Sequence, residues 1–223
     1  MRAWFGNPYV FVGYYLDSPC HQDTTSGGRF RPWMGHLQTL KGIGWGLVVI
    51  YVGRQGTGCG SNMLTRARGM ADARDAVGKA SGDGLRRGAR IFLDVELAEN
   101  VSTALLSYVR GWLAGILADG TYEAGIYCHF RNADALHAAA RQEYSDQNRA
   151  GQAPAFWVVR VPGGSTFNLA TSSPQDLNNF GRTPIPFANV WQGRLDITAE
   201  THNGVRFGPV DQNVADTADP SNS

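Results

Sequence analysis

The segment ARIFLDVE, residues 89–96, is the part of the sequence that decides the fold. Its apolar residues predict a buried strand that ends on two carboxylates, Asp94 and Glu96. Helical patterns flank this strand at residues 64–80 and 101–118, where apolar side chains recur every three or four positions. A strand between two helices is typical of the βαβ unit of a parallel sheet.

The same alternation continues in both directions along the chain. Residues 45–53 (WGLVVIYVG) form a continuous apolar run, which is typical of a strand buried on both faces. After residue 162 the pattern weakens, and four prolines in residues 162–187 leave no helix to predict there. The strand candidates lie at residues 9–16, 45–53, 89–96, 122–128, 155–161, 165–170, 188–192 and 210–214.

About eight strands in this order predict an α/β fold over residues 1–223. We expect one domain, a TIM-like (β/α)8 barrel with irregular or missing helices in its C-terminal part. An open, doubly wound sheet is the alternative. No GxGxxG turn follows the first strand, and the loop at residues 53–60 (GRQGTGCG) lacks the Lys-Ser/Thr of a phosphate-binding loop, so nothing favours a nucleotide.

The composition suits one compact domain. The chain has 223 residues, of which 43% are hydrophobic, enough to bury a full core. Twenty basic residues against 19 acidic ones leave a net charge of +1, and no basic stripe marks a nucleic-acid binder. No run approaches the ~18 to 20 apolar residues that span a bilayer. We therefore expect no nucleic-acid partner, no membrane span and a monomer.

The sequence leaves the localisation open. Residues 1–8 hold one basic residue and no apolar signal-peptide core. Either the protein is not exported by the usual route, or a leader has been removed and the protein is secreted or belongs to the cell envelope.

Cysteines and histidines indicate neither a metal site nor a cofactor. Cys20, Cys59 and Cys128 are an odd number of cysteines without a CxxC pair. One disulfide can form, although the spacing does not say which, and free, mostly buried thiols are the favoured interpretation. The five histidines are scattered and contain no HxxxH pair.

Asp94 and Glu96 are the strongest candidates for catalysis. Residues two apart in a strand share a face, with Cα atoms roughly 6.6 Å apart. Two carboxylates in a partly desolvated barrel mouth raise at least one pKa, which provides the acid and the ionised partner that glycoside cleavage needs. Alternatively, they only mark the end of the strand and cap the next helix.

The ends of other strands supply possible neighbours for this pair. Asp17 follows the first strand, where it suits a catalytic role or a turn before Ser18-Pro19 equally well. Aromatic and amide side chains at one rim suit a sugar, because sugar rings stack on aromatics and present many hydroxyls. The candidates for substrate binding are Gln55, Tyr127, His129, Trp157, Trp191 and Gln192. Trp157 would equally suit the core, and His129 a loop.

Several motifs together resemble a known family. They are FVGYYL (residues 11–16), GLVVIYVGRQ (46–55), IFLDVE (91–96), GIYC (125–128), Trp191-Gln192 and VDQN (210–213). In this order they resemble the glycoside-hydrolase-like domain known as domain of unknown function 1906. More distantly, they resemble the bacterial Chalaropsis-type lysozymes of glycoside hydrolase family 25. IFLDVE is the most specific of these motifs.

The resemblance implies a barrel that acts on peptidoglycan or a related β-linked glycan without a cofactor. It implies that Glu96 is the general acid, and that Asp94 orients the substrate's N-acetyl group or stabilises the oxocarbenium-like state. Asp211 falls where the lysozymes carry another carboxylate of the cleft. The first strand departs from the lysozyme pattern, because Tyr15 stands where they have an aspartate. Tyr15 is therefore a substrate-binding candidate, and Asp17 is the nearest carboxylate that could substitute.

Two functions follow from these observations. The first is a glycosidase of bacterial cell walls, and the second is a carbohydrate-binding barrel that keeps the pocket without turnover. A hydrolase of different chemistry on the same barrel is a weaker third hypothesis, because fold does not determine function.

Overall fold

The computed structural model describes residues 1–6, 8–21, 33–96, 100–162, 167–179, 184–198 and 200–222. The strands are β1 (Phe11–Tyr15), β2 (Gly46–Val52), β3 (Arg90–Val95), β4 (Glu123–His129), β5 (Ala155–Val159), β6 (Ala188–Ile197), β7 (Thr201–His202), β8 (Val205–Arg206) and β9 (Val210–Ala215). The helices are α1 (Leu37–Ile43), α2 (Arg66–Gly82), α3 (Thr103–Asp119) and α4 (Ala133–Asp146), with short 3₁₀ helices at Ser61–Met63 and Pro174–Asn179.

Seven of the strands form one curled, half-barrel sheet in the order β1-β2-β3-β4-β5-β6-β9. Strands β1 to β6 are parallel and follow chain order, so the alternative of a doubly wound sheet, whose strand order reverses, is wrong. β9 joins β6 in antiparallel orientation, and β7 pairs only with β8 in a small hairpin.

The full (β/α)8 barrel is therefore not confirmed. The two edge strands of the sheet are β1 and β9, and no backbone hydrogen bond in the described parts of the chain joins them. In the described ranges, the only helical element after β5 is the 3₁₀ helix Pro174–Asn179, which agrees with the prediction of irregular or missing helices in the C-terminal part. Of the candidate strand at residues 165–170, residues 165 and 166 lie outside the described residues, and the remainder contains a turn.

The sheet buries both faces, which explains the continuous apolar runs of its strands. On the outer face, β2 and β3 pack Leu47, Val49, Ile91 and Leu93 against the helices. The inner face carries a second cluster, in which Val48, Ile50, Phe92, Tyr127, Trp157 and Val190 meet. Alternation along each strand therefore separates a purely structural layer from the layer that contains the candidate site.

Helix α3 begins two residues after the predicted start. Ser102 is its N-cap, because the Ser102 side chain accepts a hydrogen bond from the Leu105 N–H at 3.1 Å. α3 packs closely on α2, and Gly69 permits this approach, since a Cβ atom there would lie 2.0 Å from the carbonyl oxygen of Tyr108. None of the helices in the described ranges is long and apolar enough to cross a membrane.

The C-terminal segment packs against the starts of β2 and β3. The Leu47 N–H donates to Asp219 at 2.9 Å, and the Ser221 N–H donates to the Leu47 carbonyl at 2.9 Å. Gly46 permits this approach, since a Cβ atom there would lie 1.8 Å from the Ala218 carbonyl oxygen. This segment occupies the N-terminal end of the sheet, away from the strand ends that carry the site candidates.

A disulfide joins the loops that follow β1 and β2. Cys20 and Cys59 are bonded, with Cα atoms 5.8 Å apart, while Cys128 is free and buried. The interpretation of free thiols is therefore wrong for two of the three cysteines. The physical reason is that neighbouring parallel strands end at the same edge, which brings together loops that are 39 residues apart in sequence.

Candidate active site

The inner-face residues of neighbouring strands meet in register. Val52 lies beside Asp94, Asp94 beside Tyr127, and Tyr127 beside Trp157. This row places the carboxylate of β3 next to the aromatic side chains of β4 and β5. Glu96, one residue beyond β3, follows Asp94 by two positions toward the open end of the sheet.

Asp94 is a buried carboxylate without full hydrogen bonding. The residue is 5% exposed, and its Oδ1 atom has no hydrogen-bond partner in the part of the chain that the structure describes. Burial, and then the charge of Glu96, raise the pKa of Asp94 well above its ordinary value. Asp94 therefore keeps its proton to a higher pH than an ordinary aspartate does.

Glu96 and Asp211 add a second and a third carboxyl group. Glu96 is exposed, yet its carboxyl group lies close enough to protein for desolvation to raise its pKa, and the charge of Asp211 raises it further. Burial also raises the pKa of Asp211, although the Asp196 N–H donates to its Oδ1 atom at 2.9 Å. The three groups are thus electrostatically linked across β3 and β9.

Two tyrosines face this group of carboxylates. Desolvation, followed by the charges of Asp94, Glu96 and Asp211, raises the pKa of Tyr15. Tyr127 is affected by desolvation and by the same carboxylates, so its pKa is also raised. Both hydroxyls therefore stay protonated at neutral pH and remain hydrogen-bond donors.

Gln192 connects Tyr127 to Asp211. The Tyr127 hydroxyl donates to Gln192 Oε1 at 2.6 Å, and the Gln192 amide hydrogen-bonds to Asp211, which lowers the pKa of that carboxyl. Trp157 lies against the Tyr127 ring, with centroids 4.5 Å apart, and its indole N–H donates to Asn213 Oδ1 at 2.9 Å. These contacts fix the aromatic wall of the site.

Gln55 holds the backbone under the carboxylates. Its Nε2 donates to the carbonyls of Gly53 and Asp94, each at 3.0 Å, and its Oε1 accepts the Glu96 N–H at 3.0 Å. The Gln55 N–H in turn donates to the Cys59 carbonyl at 3.0 Å. The sequence suggests substrate contact for Gln55, whereas its amide is already used to position Glu96.

Three sequence candidates do not join the three carboxylates. Trp191 lies on the outer face, fully buried, where its indole N–H donates to the Arg160 carbonyl at 2.8 Å. Adjacent residues of a strand point to opposite faces, so Trp191 and Gln192 cannot both line the site. Asp17 is exposed, and no described contact joins it to the three carboxylates. His129 stands at the end of β4, above Tyr127.

Sequence reasoning did not select Asp196 as a site residue, and it included Asn213 only as part of the strand-end segment with Asp211. Asn213 belongs to the VDQN motif, and its spacing of two from Asp211 is the signal that could have found it. Asp196 contributes through its backbone N–H, which no side-chain pattern reveals. In the described residues, no group of three or more His, Cys, Asp or Glu side chains is arranged to hold a metal ion.

A cavity of about 350 Å³ opens in the seam between β1 and β9. Its walls include Phe11, Val12, Val48 and Val214, and it reaches the site at Trp157 and Asp211. Asp94 and Glu96 do not line it. The cavity therefore lies beside the three carboxyl groups and borders only Asp211 among them.

Comparison with known proteins gives one family match. The sequence model of the Rv2525c-like, glycoside hydrolase-like domain matches residues 2–215. No curated protein matches the chain.

Several solved structures are similar to this chain. One is an uncharacterized protein of B. stearothermophilus, 23% identical over 93% of this chain and 84% of that chain, with a TM-score of 0.58. The Tat-secreted protein Rv2525c of Mycobacterium tuberculosis, in complex with HEPES, is 20% identical over 92% and 84%, with a TM-score of 0.51. GHIP, a glycosyl hydrolase 25 of Streptococcus pneumoniae, is 15% identical over 96% and 84%, with a TM-score of 0.56. At these identities the likeness is one of fold.

Proposed function

Because the chain belongs to the family of the Rv2525c-like, glycoside hydrolase-like domain, we propose that it is a glycosidase. Its substrate in this proposal is bacterial peptidoglycan or a related β-linked glycan. The observation that carries the proposal is the group of three carboxyl groups, Asp94, Glu96 and Asp211, whose pKa values are all raised at the open end of the sheet. A raised pKa lets one carboxyl group keep the proton that acid/base cleavage of a glycoside requires.

Glu96 is the general acid in this proposal. It is exposed and can reach a substrate, and the negative charge of Asp211 favours its protonated form. Its proton passes to the glycosidic oxygen as the C–O bond breaks. Asp211 then stabilises the positive charge at the anomeric carbon, and water attacks that carbon and returns a proton to a carboxylate.

Asp94 and the tyrosines support this step. Asp94 lies beneath Glu96 and, when protonated, avoids adding a second negative charge, after that of Asp211, beside the acid. Tyr15 is a donor for sugar hydroxyls or for the N-acetyl oxygen. Tyr127 already donates its proton to Gln192 Oε1, so its oxygen accepts from a sugar hydroxyl, and Trp157 packs beside it. Asp17 has no role in this scheme.

The disulfide supports a location outside the cytoplasm. A bond such as Cys20–Cys59 persists in oxidising compartments and is rare where thiols are kept reduced. The similar M. tuberculosis protein is described as Tat-secreted. We therefore propose that the protein acts in the cell envelope or outside the cell.

A non-catalytic carbohydrate-binding barrel is the second candidate. The observation that favours it is the neutral side chain of Tyr15 in β1. The lysozymes that this sequence resembles carry an aspartate at that position. A site of this kind would keep the aromatic wall and the hydrogen-bond donors, and bind glycan without cleaving it.

Release of muropeptides from purified cell walls tests the two candidates. We expect wild type to release them, and Glu96→Gln to reduce the rate at least ~100-fold, as loss of a general acid does. Glu123→Gln is the matched control, because Glu123 is an exposed carboxylate at the start of β4. No release by wild type from several cell walls, together with measurable glycan binding, would refute the glycosidase and support the binding barrel.

A further inference from the structure

Three basic side chains surround one aromatic ring beside the candidate site. The guanidinium carbon of Arg160 lies 4.7 Å from the Phe130 ring centroid, and that of Arg131 lies 5.7 Å from it. The His129 ring centroid is 4.5 Å from the same point. We call these four residues, His129, Phe130, Arg131 and Arg160, the basic rim.

The basic rim stands at the same end of the sheet as the carboxylates. His129 ends β4 and follows Tyr127 by two positions, so it continues the face that carries the site. Arg160 directly follows β5, and its N–H donates to the carbonyl of Gln192 at 3.0 Å. The Phe130 N–H donates to the Val159 carbonyl at 3.0 Å, which ties the two strand ends together.

The two arginines of the rim lack the partners that other arginines have. Elsewhere Arg66 and Arg110 both pair with Glu143, and Arg54 pairs with Asp72. Among the residues that the structure describes, no carboxylate and no side-chain hydrogen bond meets either rim guanidinium; the contact of each is the Phe130 ring.

Arg160 is half-buried, whereas Arg131 is exposed to solvent. Burial lowers the pKa of Arg160, and burial followed by the charge of Arg131 lowers the pKa of His129. An anion bound here would relieve both effects, because a guanidinium presents paired N–H donors to a carboxylate or phosphate. The Phe130 ring itself packs against the outer-face cluster of the sheet.

We propose that the basic rim is a subsite for an anionic group, a carboxylate or phosphate, on the glycan that occupies the site. That the bound molecule is a glycan rests on the proposed function. The preference for an anion does not require that the protein cleave it. The ionised carboxylate of Asp211 repels an anion, so the anionic group lies over β4 and β5 instead. Since β3 and β5 are two strand spacings apart, roughly 10 Å, this group belongs to a sugar next to the one that is cleaved. The rim thereby determines which way the chain lies across Glu96.

Binding of two small sugars tests the subsite. N-acetylmuramic acid carries a carboxylate that N-acetylglucosamine lacks, and both can be titrated against the whole chain by NMR or calorimetry. We expect wild type to bind the acidic sugar roughly tenfold more tightly, the effect of one charge-assisted contact. The double variant Arg131→Gln/Arg160→Gln should lose this preference and keep its affinity for the neutral sugar.

Controls separate the subsite from general charge effects and from folding. Arg87→Gln removes one positive charge from an exposed residue before β3, at the opposite end of the sheet, and should keep the preference. Thermal unfolding of each variant checks the fold. Inorganic phosphate should compete with the acidic sugar in wild type and not in the double variant.

The outcomes are distinct. Equal affinity of wild type for both sugars, or a preference that survives in the double variant, overturns the subsite. Phosphate binding without any preference for the acidic sugar also overturns it, because the anion would then not be part of a glycan. An intact preference without muropeptide release refutes the glycosidase and leaves the subsite standing.

Discussion

Replacing Gln55 with alanine tests whether its side chain positions Glu96. The substitution removes the two hydrogen bonds donated by Nε2, to Gly53 and Asp94, and the one that Oε1 accepts from the Glu96 N–H. Each such bond contributes about 1 kcal/mol net. Gln55 is half-buried, so water replaces part of what is lost, and we expect the free energy of unfolding to fall by about 2 kcal/mol. For a chain of this size, that corresponds to roughly 4 to 8 °C in melting temperature.

Chemical denaturation under oxidising conditions measures this loss while the disulfide stays intact. Gln142→Ala is the matched control, because exposed Gln142 makes one hydrogen bond, to Asp146, and should change stability by less than about 0.5 kcal/mol. Gln55→Glu keeps an acceptor for the Glu96 N–H, loses both donors and adds a fourth carboxylate. Its destabilisation should therefore grow as pH rises through the pKa of the new carboxyl group.

A functional readout separates positioning from stability alone. If Gln55 positions Glu96, Gln55→Ala should weaken turnover or glycan binding at a temperature where the variant is fully folded. A variant as stable as Gln142→Ala would refute the hydrogen-bond account. A less stable variant with unchanged binding and turnover would make Gln55 structural only.

Three further predictions concern charge and covalent structure. Asp94→Asn should raise the free energy of unfolding by about 1–3 kcal/mol at mildly alkaline pH and change it little at acidic pH. The reason is that burial and then the charge of Glu96 raise the Asp94 pKa, so its stabilising effect is lost as pH rises through the folded-state pKa. Replacing Cys20 and Cys59 with serine should cost about 4 kcal/mol from the 39-residue separation, measured by denaturation against the oxidised wild type. Burial opposes ionisation of Glu143, but hydrogen bonds from basic and amide side chains keep its pKa below the ordinary value. Its stabilising effect is therefore present above the unfolded-state pKa and lost as pH falls through the folded-state pKa. Glu143→Gln should cost about 3 kcal/mol at neutral pH and flatten the acid limb of the stability curve.

Each of these three predictions would be contradicted by a specific result. An Asp94→Asn variant less stable than wild type at alkaline pH would mean that the carboxylate has a partner. Equal stability of the oxidised wild type and the serine variant would contradict the loop-closure account. A stability curve unchanged by Glu143→Gln at low pH would show that other carboxyl groups dominate acid unfolding.

Local patterns were sufficient for the central strand and its helices. The run at residues 89–96, which contains Asp94 and ends on Glu96, predicts β3 because its apolar residues suit a strand whose two faces are both buried. The cap at Ser102 follows from side-chain chemistry within one turn. The resemblance to the glycoside-hydrolase-like domain is confirmed by the family match over residues 2–215. These features depend on neighbours in sequence or on motifs that keep their order.

The partners of this strand depended on the tertiary structure. Only the antiparallel pairing of β9 with β6 links Asp211 to Glu96, and only the meeting of two loops bonds Cys20 to Cys59. The choice between Trp191 and Gln192 depended on which face of β6 turns inward. The sequence by itself determined that a carboxylate pair ends a buried strand, since strand periodicity is local. What surrounds the pair was decided by contacts between distant segments, whose free energies depend on packing that no local pattern encodes.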